Sequence, residues 1–325
     1  MSILSTQLKP WHPDKPVSKG ATAYHDAVVN APYYIDNLIE LVRIVSPRYK
    51  ENDIVVDFGA GTGVSALHML KYIKSRINLW LVDNSPAWLG KAYEILKSNP
   101  NVNYFLLEKI KDRYATLAET LGEQTVDHVI SANTLHLIPN LVETFNGINL
   151  ALKPQGTFTF QSGNIIRNGR EEGVLMVDDT INSIHNIALD IVSKNKKFIK
   201  YRKGLNERIR IENEQRKFIF PTPRPVEEYL KALKIARFIY EEPKYKLIKI
   251  EYSDWLDFLR VKRLQAGILP EIGSKEPHPE EEQDRDELIT MASNQLFKEL
   301  ETQNPMANKN HFTAEWVYVT AIKNS

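Results

Sequence analysis

The chain contains no cysteine. Disulfides, cysteine-ligated zinc, iron–sulfur clusters and thiolate nucleophiles are thereby excluded, and such a chain suits a reducing compartment. Charge imbalance is also missing: 42 Lys and Arg against 41 Asp and Glu leave a net charge of +1. No global field therefore draws the chain toward nucleic acid or an anionic membrane. Long apolar runs are absent too. No window approaches the roughly 18 uninterrupted apolar residues of a spanning helix, and the Met1-Ser2-Ile3-Leu4-Ser5 start lacks the basic-then-apolar order of a signal peptide. These absences predict a cytoplasmic protein without a membrane span. What is present, 42% hydrophobic residues over 325 positions, suffices for a packed core.

Residues 1–17 carry Pro and Trp without periodicity and read as an arm. Ala21–Val29 and Tyr33–Ile44 read as helices split by Pro32. From Asp53 the rhythm changes to short apolar runs alternating with helical stretches. The predicted strands are Asp53–Phe58, Leu79–Val82, Val102–Leu107, Val126–Ser131 and Thr157–Gln161. That alternation predicts an α/β fold with a parallel sheet and right-handed crossovers. Beyond Gln161 it stops: Val177–Arg216 reads as long, polar and helical, Val226–Ile239 as an amphipathic helix, and Tyr245–Tyr252 as a strand. Ser253–Arg263 and Asp286–Glu301 read as helices, Glu276–Asp286 as a solvated acidic loop, and Phe312–Ile322 as a closing strand. The expected architecture is a Rossmann-like, doubly wound, mostly parallel seven-stranded sheet with a helical cap formed by insertions.

Asp57-Phe58-Gly59-Ala60-Gly61-Thr62-Gly63 lies where the first strand hands over to a helix. Glycines there permit positive φ and bring backbone N–H groups close to a ligand at a helix N-terminus. A dinucleotide fingerprint needs a third glycine where Val64 stands, and a P-loop needs Gly-Lys-Ser/Thr, which is absent. Asp57 would repel a pyrophosphate but suits an ammonium. The combination points to a nucleoside with an amino-acid tail.

This stretch resembles the first motif of the class I S-adenosylmethionine (SAM)-dependent methyltransferases. The resemblance implies that the backbone of Gly59, Ala60, Gly61 and Gly63 wraps the methionine moiety, with Asp57 near its amino group. Asp83 ends the second strand, where a carboxylate can accept both ribose hydroxyls; it also reads as a helix N-cap. The family places adenine-packing residues next, and Asn84 and Ser85 match in position. Glu108, with Lys109 beside it, stands about where the family binds the adenine amino group, although the family's acid is shorter. Val126–Pro139 looks like the fourth motif of small-molecule members, so Ser131, Ala132 and Asn133 would floor the cofactor site. No Asn/Asp-Pro-Pro-aromatic motif and no cysteine nucleophile occurs, which argues against nucleic-acid bases as substrates. Lys153-Pro154-Gln155-Gly156-Thr157 is a further match. Together these motifs span about residues 50–162, roughly a third of the chain.

Methyl transfer from a sulfonium needs positioning, desolvation and, for a weak nucleophile, a base. His136, just past the fourth strand, is the candidate base; the competing reading is a packed or capping histidine. Tyr24 is the second candidate, on a helix that in similar proteins folds over the cofactor, and helix packing competes with that role. Trp11 and His12 read as part of a lid, and Tyr33 and Tyr34 as packing between helix and sheet. The Lys194–Lys203 run offers a docking face for an acidic partner, such as a carrier protein or an RNA backbone, or a solvated helix face. The acidic run gives no fixed geometry for a metal, and none is expected. Phe198, Tyr201, Phe218, Phe220, Trp255, Phe258 and Leu259 can line a substrate chamber or form the cap's own core.

The expected organisation is a lid of arm and helices over 1–46, a SAM-binding core over 47–163, a cap insertion over 164–225, a core helix and strand over 226–252, a second cap insertion over 253–311 and a closing strand over 312–325. The leading function is SAM-dependent methylation of a small, partly apolar molecule, at a carboxylate or hydroxyl oxygen. The alternatives are a peptide or carrier-protein-bound acyl substrate, with C- or N-methylation open, a non-catalytic SAM-binding subunit, and a dinucleotide-dependent reductase.

Overall fold

The computed structural model describes residues 8–210, 217, 220–262, 264–265, 279–303 and 310–324. Helix α1 (Lys19–Val29) is capped by Ser18, whose side chain accepts from the Ala21 amide at 3.1 Å. Helix α2 (Pro32–Val45) opens on Pro32, where the missing N–H would have had no intrahelical partner. The alternating region follows as β1 (Ile54–Phe58), α3 (Val64–Tyr72), β2 (Asn78–Asp83), α4 (Pro86–Leu96), β3 (Val102–Leu106), α5 (Leu117–Leu121), β4 (Val126–Ala132), α6 (Leu141–Ala151) and β5 (Leu152–Ser162). The remainder comprises α7 (Val177–Lys194), α8 (Val226–Ile235), β6 (Phe238–Tyr240), β7 (Lys244–Glu251), α9 (Tyr252–Leu259), α10 (Pro279–Gln303) and β8 (His311–Lys323).

The strands form one sheet in the order β6-β8-β5-β4-β1-β2-β3, and β7 pairs with β8 as well. From β3 through β5 the neighbours are parallel; β8 runs antiparallel to β5, β6 and β7. Strand order reverses between β1 and β4, and in open α/β sheets ligands bind beside the carboxyl ends at such a reversal. Alternate residues serve opposite faces. Val55 faces a core shared with α2, α3, α7, α9 and α10, whereas Val56 and Phe58 face α5, α6 and α8. Along α7, Ile181, Ile184, Ala188 and Val192 are fully buried at helical spacing; Leu288, Ile289 and Ala292 are their counterparts on α10. Each Ile, Leu or Val among them contributes about 1.5–3 kcal/mol by leaving water.

Two expectations need correction. Among the described residues the sheet has eight strands, not seven. The additional one is β6, in a segment read as the end of a helix: Arg237 adopts φ 62° and stops α8 before it. The acidic residues Glu280, Glu281 and Glu282 form the first turn of α10 instead of a loop, where acidic side chains favour the helix dipole. Before β4, the short α5 is preceded by a two-stranded turn pairing Lys109–Ile110 with Arg113–Tyr114. The arm docks along the free edge of β3, where Trp11 N donates to Tyr104 O at 2.7 Å and His12 meets the Tyr93 ring edge-on. Unpaired backbone groups on an edge strand account for that position.

Candidate active site

The chain turns from β1 into α3 through three glycines with positive φ: Gly59 (73°), Gly61 (55°) and Gly63 (80°). A Cβ at Gly59 would lie 2.2 Å from Thr134 Cγ2, and one at Gly63 would lie 3.0 Å from Ala92 Cβ. Only glycine satisfies both the conformation and the space. Thr134 holds the turn from the other side by donating to Gly59 O at 3.1 Å. Gly59 N and Ala60 N both donate to Val82 O, fixing the loop to β2.

Asp83 stands at the end of β2. Its Oδ2 accepts from Gly61 N and its Oδ1 from Ser85 N, both at 2.8 Å. It therefore ties the glycine turn to the entry of α4, and each carboxylate oxygen keeps further acceptor capacity. Asn84 beside it is exposed. Asp57 is fully buried beneath the loop. Ser65 donates to its Oδ2, while Oδ1 has no partner. Burial, reinforced by the nearby Asp83 charge, raises the Asp57 carboxyl to about 7 against the Ser65 hydrogen bond.

Helix α1 packs over this turn. His25 Nδ1 lies 3.2 Å from Thr62 Oγ1, and burial beside Lys91 lowers its imidazole pKa. Tyr24 meets the Trp88 ring at 4.5 Å and the Phe258 ring at 6.0 Å; Trp88 in turn flanks Gly61. Tyr34, from α2, turns its hydroxyl toward Tyr24 and Asn133. Beyond β4, Asn133 takes φ 51° and its Oδ1 accepts from Trp316 Nε1 at 3.1 Å. His136 is partly buried, with Nδ1 3.0 Å from Ser162 Oγ. Burial, aided by the Arg224 guanidinium, lowers its pKa to about 4, so it is neutral at physiological pH.

A ligand with an ammonium-bearing tail fits these groups. The unpartnered Asp57 oxygen seeks a cation, the glycine turn admits close backbone approach, and the Asp83 carboxylate suits a diol. The sequence comparisons agree. Residues 49–203 match the family model described as a methyltransferase domain. The squalestatin hexaketide synthase of Phoma sp. is 31% identical over 113 residues, covering 33% of this chain and 4% of that protein. Methyltransferase calH of Penicillium decumbens is 29% identical over 108 residues, covering 31% of this chain and 29% of that protein. The chain thus spans a minor part of the curated relatives it matches. A Bacillus halodurans C-125 protein put forward as a methyltransferase superposes with a TM-score of 0.51 at 15% identity, covering 89% of this chain and all of that one; it shares the fold. Over residues 49–203 the chain matches a methyltransferase domain, and its fold is that of the superposed protein.

The geometry suits SAM as the methyl donor of this methyltransferase domain. Asp57, Gly59, Ala60, Gly61, Gly63 and Asp83 come together around one turn, with Tyr24 above it. Ala132 and Asn133 close the β4 side. Ser131 is fully buried and donates to Phe58 O at 2.9 Å, so its hydroxyl ties β4 to β1 within the sheet. Glu108 and Lys109 are exposed at the exit of β3, outside the enclosed part of the site. His136 and Tyr24 stand on different walls, one beside Ser162 and the other against Trp88. Trp88 and Trp316 escaped the sequence reading, and Tyr34 was read only as packing, because only the fold brings them to the glycine turn. Of the proposed chamber residues, Phe198, Tyr201, Trp255 and Leu259 are core, Phe220 and Phe258 are partly buried, and Phe218 lies outside the described residues.

Four members of the basic run are engaged within the chain. Lys200 pairs with Asp284 at 2.8 Å, Lys197 with Glu287 and Lys194 with Asp190. Arg202 donates to the carbonyls of Val192 and Asn195 at 2.9 Å. A separate groove of about 500 Å³ between α5 and α6, lined by Glu119, Glu123 and Glu143, shares no residue with the site. Arg113 bridges two of its glutamates. No helix among the described residues is long and apolar enough to cross a membrane.

Proposed function

We propose that this chain, in the cytoplasm, methylates an oxygen of a small, partly apolar carboxylic acid. The observation that carries this reading is the placement of His136, half-buried with its Nδ1 held 3.0 Å from Ser162 Oγ. An imidazole whose pKa has fallen to about 4 is a poor base for an alcohol or phenol at neutral pH. A carboxylate is already ionised and needs no base. SAM supplies an electrophilic methyl on a sulfonium, whose carbon–sulfur bonding pair returns to sulfur as the acceptor oxygen forms the new bond. The chain's own residues bind, orient and exclude water. The glycine turn holds the methionine end, Asp83 the ribose, Asp57 receives the ammonium, and Tyr24, Tyr34 and Phe258 keep solvent from the transferring carbon.

A second reading is a carrier-protein-bound acyl or peptide substrate methylated at carbon or nitrogen. It is favoured by the polyketide relatives, which include a hybrid PKS-NRPS synthetase of Penicillium oxalicum. The internal pairing of the basic run supports the small-molecule reading instead. Replacing His136 with Gln tests the choice. With a carboxylate acceptor, turnover at pH 7 should stay within about threefold of the parent; a loss of about 100-fold or more would show that His136 serves as a general base.

A further inference from the structure

The hydroxyl of Ser162 decides which ring nitrogen of His136 carries the proton. Ser162 ends β5 and is 1% exposed. Its Oγ accepts from the Asn164 amide at 3.0 Å, and Asn164 is fixed in turn, because its Oδ1 accepts from Asp178 N at 2.9 Å. The other contact of the Ser162 oxygen, among the described residues, is His136 Nδ1 at 3.0 Å. A neutral imidazole donates at one nitrogen and accepts at the other. With the proton on Nδ1, Ser162 Oγ would accept two N–H groups and its own buried proton would have no acceptor, which is unfavourable. With Ser162 donating to Nδ1, every one of these groups is satisfied. The ring therefore carries its proton on Nε2.

Arg224 holds the turn that bears the ring. It donates to the carbonyls of Leu135 at 2.9 Å and Ile138 at 2.7 Å, one on each side of His136, and its guanidinium lies 5.1 Å from the centre of the fully buried Tyr229 ring. Thr134, at the start of the same turn, donates to Gly59 O, so the turn also touches the cofactor loop. Burial lowers the imidazole pKa, yet His136 keeps part of its surface exposed. The ring thus lines a recess at the carboxyl ends of β4 and β5 and is not part of the solid core. Nδ1 is turned to Ser162, and Nε2 has no hydrogen-bond partner among the described residues.

We propose that His136 recognises the methyl acceptor as a hydrogen-bond donor through Nε2–H, with Ser162 as the positioning residue that fixes this tautomer. The inference rests on the carboxylate reading above and adds the group that meets the carboxylate. One carboxylate oxygen accepts from Nε2–H while the other forms the new bond to the methyl carbon; the carbon–sulfur pair returns to sulfur, and His136 keeps its proton throughout. An ammonium brings N–H groups to a place that already presents one, so it is rejected. An alcohol would have to pass its proton to a ring whose lone pair is already bound to Ser162.

The test is nitrogen-15 spectroscopy of the full chain carrying labelled histidine at pH 7, with His136→Gln identifying the His136 signals. Nε2 should report as the protonated nitrogen and Nδ1 as the unprotonated one, and Ser162→Ala should mix the two forms. Calorimetry on the protein loaded with S-adenosylhomocysteine follows, with octanoate and octylamine as matched probes. Octanoate should bind at least about tenfold more tightly than octylamine. His136→Ala should weaken octanoate at least about tenfold, and His136→Gln, whose amide N–H reaches the place of Nε2–H, should restore most of that loss. Both variants should bind S-adenosylhomocysteine within about threefold of the parent, which shows that they fold. A proton on Nδ1 with octanoate still preferred would overturn the proposal and leave the carboxylate reading standing. Octylamine binding as tightly as octanoate, or failure of both probes to bind, would remove that reading and the proposal with it. Equal losses for the Ala and Gln variants would assign His136 to packing and overturn the proposal alone.

Discussion

At Asp57, burial and the neighbouring Asp83 oppose a charge that the cofactor's ammonium would favour. The folded carboxyl titrates at about 7, against 3.8 for its ordinary value. Between those values the folded chain holds a proton that the unfolded chain has lost. This group's contribution to the stability of the cofactor-free protein therefore falls as pH rises from about 4 to about 7, then levels. An ammonium beside the carboxylate reverses the preference. Saturating S-adenosylhomocysteine should then raise the melting temperature more at pH 8 than at pH 6, and Asp57→Asn should remove that difference. A cofactor-induced shift independent of pH in the parent chain would contradict the assignment. Gly59 gives a steric counterpart: Gly59→Ala combines a left-handed φ with a Cβ 2.2 Å from Thr134. It should lower stability by roughly 1–3 kcal/mol in urea titrations and abolish detectable S-adenosylhomocysteine binding. These residues were legible in the sequence because a strand–turn–helix motif is local. Trp316 was not, because only strand pairing brings the last strand of the chain to Asn133.

Elements with one dominant local signal, such as β1, β2, β4 and the glycine-opened α3, matched their sequence patterns. Those that differed depend on partners far along the chain. The acidic run before Asp286 reads as a solvated loop because its charges lack local compensation. In the fold, Asp284 accepts from Tyr201 at 2.6 Å and pairs with Lys200, Glu282 pairs with Lys262 at 2.6 Å, and Asp286 pairs with Arg260 at 3.3 Å. Burial decides how much each contact contributes. Leu288 is fully buried on α10, so Leu288→Ala should lower the unfolding free energy by about 2–5 kcal/mol. Lys200 is half exposed, at 51% of its side chain, and its Ala variant should cost less than about 1 kcal/mol. Urea midpoints measured side by side test the ranking; an equal or larger loss for Lys200→Ala would contradict it.

Across the whole molecule, the segments read as insertions share one core face with α2 and α3. The same packing that stabilises α7, α9 and α10 therefore holds Trp255 and Phe258 beside the N-terminal helices. Near-neutral charge and an internally paired basic run predict turnover with little dependence on salt for a free carboxylate acceptor. A steep fall as ionic strength rises would favour docking of a charged carrier.

The central claim is methyl transfer to a carboxylate oxygen, and the stability of the product in alkali tests it most directly. The protein is incubated with methyl-labelled SAM and a panel of amphipathic carboxylic acids, phenols and amines, and the products are treated with hydroxide. The account predicts label transfer to carboxylic acids and its release as volatile methanol, as a methyl ester requires. Label that survives hydroxide, as in an ether, an amine or a carbon–methyl bond, would contradict it.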